Sequence, residues 1–386
     1  MEDQPLYRRI YNYLLEGISS GRYEAGARLP SENELCETFK VSRITSKRAL
    51  ELLADQGFIL RRTGKGSYVI GSGNSESRTS GLLQTIGFII PDFSDSFGTK
   101  LISSIEETCT ALGYQLVLRQ TREHAEEEEK AISSLSGAAG ILLVPIHGEL
   151  YNSGILKLIY NKRPVVFVDR KMRGLAAPTI TSNNLAAAEA GVMHLLSLGH
   201  RNIAFFSGPV SHTSTVEDRY HGFIQGFAKF GASHNPAHFC QNTSSLWTLP
   251  VSEAKINEDV EIAARHLKAY PSISAAFAVE HSLALIVKAA AESLGRRVPE
   301  DFSILTFDAP PCITGLPPIT HMRQDEYAMG KEAVKALHRI ISGSEASLVD
   351  TLVPAELVQG ASTASRNPRK KAEQEKRPKT GKRSTQ

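Results

Sequence analysis

Ser42, Arg43, Ile44, Thr45, Ser46 and Lys47 open a short amphipathic stretch, and Arg61, Arg62 and Lys65 follow around a glycine-containing turn. An arginine carries a flat fork of donors that fits the edge of guanine. Serine and threonine hydroxyls reach phosphates or bases, and an isoleucine can touch a thymine methyl. From Ser42 to Gly66 six basic residues stand against two acidic ones, a surplus of +4 on what should be one face. That chemistry points to a DNA duplex. A second polar set falls at the ends of apolar runs. Asp92 and Ser94 follow the first run, Asp169 and Arg170 follow PVVFV, Glu280 follows AAFAV and Asp308 follows ILTF, while Arg219 opens a helix expected near Tyr220. Carboxylates and guanidinium groups can each bond two neighbouring hydroxyls, and Phe93, Phe97 or Trp247 could stack on a sugar face.

The elements that would position the first set are compact. Leu6, Ile10, Tyr13/Leu14 and Ile18 make one helical face that ends at Gly21. Ser31 with Glu34 forms a capping box for a second helix, and Ser42 caps a third whose buried stripe is Ala49/Leu50 and Leu52/Leu53. Phe58–Leu60 and Ser67–Ile70 read as a hairpin around RRTGKG. Three helices and a hairpin make an α+β winged helix-turn-helix over residues 1–71, whose third helix would enter the major groove. Residues 72–83, small and polar, are expected to be a flexible linker.

From residue 84 to 364 short apolar runs alternate with helical patterns. Strands are expected at Ile86–Ile90, Tyr114–Leu118, Gly140–Val144, Val165–Val168, Ile203–Phe206, Ala275–Val279 and Ile304–Phe307. Helices include Thr99–Leu112, Ala186–Leu198, Tyr220–Phe230 and Leu283–Leu294. The alternation implies parallel sheets covered on both faces, and about 280 residues suit two linked lobes better than one. Such sheets bind ligands just beyond the carboxyl ends of their strands, which is where the second polar set lies.

Bulk properties are those of a soluble globular chain: 386 residues, 41% hydrophobic and 22% charged. The net charge of +3 is unevenly spread: residues 366–386 hold nine Lys/Arg against two Glu, or +7, leaving −4 for the rest. The basic tail, residues 365–386, is expected to be disordered. Four scattered cysteines fit a reducing compartment rather than a disulfide framework, and no apolar run is long enough to span a bilayer, so a cytoplasmic, membrane-free location is expected. No metal-ligand spacing, P-loop or catalytic triad stands out, so neither cofactor, metal nor enzymatic activity is expected.

Residues 5–70, PLYRRIYNYLLEGISSGRYEAGARLPSENELCETFKVSRITSKRAL…GKGSYV, resemble the winged-helix domain of the GntR family of bacterial transcription regulators. The resemblance implies DNA contacts from Asn33, Ser42, Arg43, Ile44, Thr45, Lys47, Thr63 and Gly64, with Asn33 standing where the family often has arginine. The rest is similar to the sugar-binding domain of the LacI family, a two-lobed, type I periplasmic-binding-protein-like fold. The motifs are IGFIIPDFSDSF, PVVFVDR, SNNLAAAEAGVMHLLSLGHRNIAFFSG, EDRYHGF, RRVPEDFSILTFD, ITHMRQ and VPAELVQGAST. The combination resembles the arabinose-repressor subgroup. It implies effector contacts from Asp92, Ser94, Ser96, Phe97, Asp169, Arg170, Asn184, Arg219, Glu280, Asp308 and Gln324; Glu280 replaces a usual Asn or Asp, and His281 a usual Asp.

The expected product is a repressor of carbohydrate-utilisation genes, a homodimer on a double-stranded operator, controlled by a small sugar. The chain should cross between lobes near Asn183, Gln324 and Asp350, giving lobe one about 84–183 and 325–350 and lobe two about 184–324 and 351–364. Competing readings are a solute-binding protein without regulatory role and a GntR-type fusion to an enzyme.

Overall fold

The structure, a computed structural model, describes residues 6–19, 22–23, 26–55, 59–62, 66–69, 84–94, 96–148, 152–208, 213–243, 252–310, 318–343 and 349–366. The expected linker, the wing tip 63–65 and residues 367–386 lie outside them. The chain divides into two compact units, residues 1–83 and 84–386.

In the first unit, α1 (Leu6–Ser19), α2 (Glu32–Phe39) and α3 (Arg43–Asp55) precede an antiparallel hairpin of β1 (Ile59–Arg62) and β2 (Gly66–Val69). The Ser31–Glu34 box is closed both ways: Glu34 N–H donates to Ser31 Oγ at 3.3 Å and Ser31 N–H to the Glu34 carboxylate at 2.6 Å. Lys40 ends α2 in the left-handed region (φ 51°), which bends the chain tightly into α3. Ile10, Leu14, Leu35, Ala49, Leu50 and Leu53 close the core with Ile59 and Val69. Leu6, expected on the same face, is 50% exposed because it starts α1 beyond that core.

The second unit holds two six-stranded sheets. The first is all parallel, in the order β13-β7-β6-β5-β3-β4: Thr351–Val353, Thr179–Ser182, Val165–Val168, Gly140–Leu143, Gln84–Ile90 and Tyr114–Gln120. The second runs β14-β12-β11-β10-β8-β9: Ala355–Val358, Thr320–Gln324, Ser303–Phe307, Ala275–Ala278, Ile203–Phe206 and Phe239–Cys240. Only β14 in it is antiparallel to its neighbour. Central strands are buried on both faces, as in the BBBB pattern of β5, β6, β8 and β10. The helices are α4 (Thr99–Ala111), α5 (Ala125–Ser134), α6 (Ser153–Tyr160), α7 (Asn184–Ser197), α8 (Ser214–Lys229), α9 (Glu253–Ala269), α10 (His281–Ser293) and α11 (Glu326–Ile341). Around Phe205 a ring cluster of Phe223, Phe239 and Phe277 fills the second core at centroid distances of 5.2–5.9 Å.

The chain passes between the sheets after Ser182, after Gln324 and at Pro354. The last passage corrects the expectation of a crossing at Asp350: Thr351–Val353 extends the first sheet by pairing in parallel with Ile180–Ser182. Pro354, with no N–H to give, separates that pairing from the next strand. The expected tail also starts slightly later, because Ser365 is buried and Arg366 N–H donates to Leu198 C=O at 2.8 Å.

Behind the second sheet His200 bonds Ser274 Oγ (2.9 Å), Ser303 Oγ (3.0 Å) and Ala364 C=O (3.1 Å), and burial takes its pKa down to about 4. The unfolded value is near 6.5, so the native chain binds fewer protons between the two. Stability from this group is therefore complete above about pH 6.5 and is lost as pH falls toward 4, by up to about 3 kcal/mol. Glu128, raised to about 7, and Asp308, raised to about 6, act with the opposite sign. The test is thus the difference in melting curves between the wild type and His200→Asn across pH 7 to 4.5. The wild type should lose more stability on acidification, and parallel curves contradict this account.

Candidate functional site

On the first unit the opening turn of α3 is presented outward. Arg43 has 74% of its side chain exposed and Ile44 is 79% exposed, with Ser42, Lys47 and, on α2, Asn33 also exposed. Ser42 Oγ and Thr45 Oγ1 bond each other at 2.8 Å and Ser42 C=O accepts from Thr45 and Ser46 N–H, so the turn is capped. Ser46, expected with the outward set, is instead fully buried. Its hydroxyl donates to Glu32 C=O at 3.1 Å and to Arg43 C=O at 3.0 Å, pinning α3 on α2. Thr63, Gly64 and Lys65 and the side chain of Arg62 lie outside the described residues.

Two acidic residues organise the basic ones: Glu51 lies 3.7 Å from Lys47 Nζ and 3.5 Å from Arg61 Nη1, and Glu32 holds the arginines more closely. Glu32 accepts from Arg43 Nε at 2.9 Å and from Arg61 Nη2 at 2.5 Å, and the hydrogen bond from Arg43 holds its carboxyl below the ordinary value. With Nε engaged, the outer nitrogens of Arg43 keep a fixed fork for a base edge. Glu32→Gln should lower discrimination between operator and scrambled duplex by about tenfold while leaving affinity for the scrambled duplex level or raised, since base readout and phosphate attraction are separate contributions. Fluorescence anisotropy with both duplexes measures the ratio, and an unaltered ratio refutes the role.

In the second unit strand ends converge on a cavity of ≈ 130 Å³. Of the expected effector residues, Asp92, Phe97, Asp169, Arg170, Arg219, Glu280, Asp308 and Gln324 line it. Asp169 and Asp308 sit just past β6 and β11 with φ of 63° and 53°. This left-handed backbone is uncommon for a side-chain-bearing residue and is tolerated best by Asp and Asn. Their N–H groups still donate to the neighbouring strand, at Ile180 C=O (2.8 Å) and Met322 C=O (2.9 Å).

Arg219 crosses the floor of the cavity. Its Nε donates to Asn184 Oδ1 at 2.8 Å, Nη1 to Val279 C=O at 2.5 Å, and Cζ lies 3.8 Å from the Phe307 ring centroid. It does not open its helix: α8 begins at Ser214, because the polar run STVED already forms the first turn. Asn184 therefore positions Arg219 rather than lining the cavity. Ser94 and Ser96 do not line it either; their hydroxyls bond each other at 2.9 Å in the turn before α4. Phe97 is the aromatic lining residue, Phe93 is 40% exposed outside the lining, and Trp247 lies outside the described residues.

His147, Thr215 and Val216 also line the cavity and were not read from the sequence. His147 lies three residues past the run GILLV, whereas Asp169 directly follows β6 and is matched in register by Pro145, so the strand-end rule does not reach it. Burial and the Arg170 guanidinium hold its imidazole well below its ordinary pKa, hence neutral. Arg170 Nη2 donates to Nε2 at 2.9 Å, so Nδ1 carries the proton and donates to Thr213 Oγ1 at 3.0 Å. Arg170 also donates to Glu123 Oε1 at 3.0 Å and to Pro145 C=O at 2.9 Å. The His147–Thr213 bond joins the two sheets' lobes, as do Lys171 N–H to Ser214 Oγ at 2.8 Å and the Arg173–Glu217 ion pair.

Three buried oxygens of the lining have no hydrogen-bond partner: Asp169 Oδ1, Glu280 Oε1 and Gln324 Oε1. Buried acceptors left unmet are costly, so the arrangement calls for a ligand rich in donors. Burial raises the carboxyl pKa of Asp169 and Glu280 and lifts that of Asp308 to about 6.

A model of bacterial regulatory proteins of the gntR family matches residues 6–69, and a periplasmic binding protein-like domain matches residues 192–363. The arabinose metabolism transcriptional repressor of Geobacillus stearothermophilus is 24% identical over 369 residues, covering 93% of this chain and 98% of its own. The ribose operon repressor of Halalkalibacterium halodurans is 28% identical over 284 residues, 73% of this chain and 79% of its own. A LacI family transcriptional regulator from Enterococcus faecium, solved with bound ribose, superposes with a TM-score of 0.59 at 22% identity, over 74% of this chain and all of its own.

Proposed function

We infer that this chain, which joins a GntR-family regulatory domain to a periplasmic-binding-protein-like domain, is a transcription repressor whose hold on DNA is governed by a small sugar. It is a regulator and not an enzyme, as its named relatives are repressors. The observation that carries the effector reading is the cavity itself. Oxygens of Asp169, Glu280 and Gln324, buried at strand ends of two sheets, can accept from donors, and the hydroxyls of a sugar provide them. Asp308 and Arg219 supply the charged frame, and Phe97 an apolar face for a ring.

The outward turn of α3 reads the operator, with Arg43 on a guanine edge, Ser42, Thr45 and Lys47 on backbone or base, and Ile44 on an apolar edge. The basic wing of Arg61, Arg62 and Lys65 adds phosphate or minor-groove contact. The protein works in the cytoplasm as a homodimer on a near-palindromic site, since site symmetry mirrors protein symmetry. Effector alters operator affinity only to the extent that it prefers one of two protein states; the bonds from His147, Lys171 and Arg173 across the cleft are the contacts by which a closed state would be favoured.

Titrating the full-length protein onto a labelled duplex of its own promoter, with and without a panel of pentoses, hexoses and disaccharides, tests both halves. Salt-dependent, sequence-selective binding that one sugar alters is the expected result. A molecule indifferent to duplex sequence, or unaffected by all the sugars in both DNA affinity and melting temperature, rules the reading out.

A further inference from the structure

We propose that the molecule sensed here is an amino-substituted polyol, whose ammonium group is held between Asp169 and Glu280 in the cavity. This rests on reading the cavity as the effector site. The argument begins with a charge count. Arg170 is shared between Glu123 at 3.0 Å and Asp169 at 3.8 Å, so its one positive charge meets two carboxylates. With Arg219, which faces Asp308, Asp169 and Glu280, two guanidinium groups stand against four carboxyl groups, a deficit of two positive charges. Asp308 is partly accommodated by Gln324, whose N–H and Nε2 donate to it at 3.1 and 2.6 Å. Asp169 and Glu280 are less fully met: among the described residues one oxygen of each is buried and accepts no hydrogen bond, and the Asp169 residue is only 8% exposed.

Every unpartnered buried side-chain atom of the lining is an acceptor oxygen. A ligand that satisfies these oxygens is therefore a net donor. A neutral sugar could offer hydroxyl donors but would leave two negative charges in excess inside a closed cleft. A sugar acid would add another. An ammonium group brings three donors and a positive charge in the volume of one hydroxyl, and uncompensated buried charge is the costliest state for such a site. Burial raises the carboxyl pKa of Asp169, Glu280 and Asp308, which expresses the same cost.

Isothermal titration of the full-length protein uses matched sets: D-glucose, D-glucosamine and D-glucuronate; D-galactose, D-galactosamine and D-galacturonate; D-ribose and 2-amino-2-deoxy-D-ribose. In at least one set the amino member should bind tenfold or more tighter than its parent, about what a charge-assisted bond in a desolvated site provides. Glu280→Gln or Asp169→Asn should bring that ratio toward one. A parent sugar or an acid that binds as tightly as the amino member, or a ratio unchanged in both variants, overturns the proposal while leaving a sugar-sensing repressor standing. No binding by any member overturns the proposal and the effector reading together.

Discussion

An Arg219→Ala protein should remain on its operator in the presence of effector concentrations that release or tighten the wild type. The guanidinium carries three separate duties: a bond to Asn184, a bond to Val279 C=O, and a positive charge facing Asp169, Glu280 and Asp308. Removing it strips a ligand contact and leaves buried carboxylates without a counter-charge. Truncating one member of such a set typically costs about 3–5 kcal/mol, so effector affinity should fall by at least about 100-fold and the melting temperature should drop. The DNA-binding unit has its own core of Ile10, Leu14, Leu35 and Leu50, so operator affinity should be kept at temperatures where circular dichroism shows the variant folded. Anisotropy on the operator, with and without effector, reads the split. Normal response by a folded Arg219→Ala protein refutes the pocket.

Arg43→Ala should give the opposite split. The side chain is three-quarters exposed, steadied at Nε by Glu32, and lies on the first residue of α3. Loss of a bidentate base contact costs about 1–3 kcal/mol per half-site, so over the two half-sites of the proposed dimer specific affinity should fall by about 30-fold or more. Effector titration should be unaltered. The helix is capped by Ser42 and pinned by Ser46, neither of which needs the Arg43 side chain, so folding is not the expected cause of any loss. Footprints identical to those of the wild type contradict the placement of α3 in the groove.

Much of this architecture was legible because burial on both faces forces continuous apolar runs: IGFII, GILLV, PVVFV, AAFAV and ILTF each became a strand or most of one, and Asp169, Glu280 and Asp308 directly follow the last three. The strands that escaped notice are β7 (TITS), β12 (THMRQ), the short β13 and β14, and the two-residue β9. β7 and β12 are buried but polar, because they lie next to the passages between lobes and their side chains bond to the rest of the fold. Thr181 Oγ1 donates to Asp169 C=O, Thr320 Oγ1 accepts from Gly360 N–H at 3.0 Å, and Gln324 Nε2 donates to Asp308. Hydrophobic periodicity cannot see a strand whose burial is balanced by hydrogen bonds. Ser46 was misread for a related reason: its neighbours in sequence face outward, but helical geometry turns it inward onto α2. His147 is not marked by its strand end, because Pro145 takes the register position of Asp169 and His147 lies two residues further along the chain.

The two aspartates that bend back at φ 63° and 53° set the terms for anyone who wishes to retune this sensor. Positions 169 and 308 are where a changed side chain would most directly alter which molecule is recognised, yet the main chain there admits few substitutes without strain. A mutational library confined to Asp, Asn and Gly at those two places, with free choice at 280 and 324, would keep the scaffold intact while sampling new specificities.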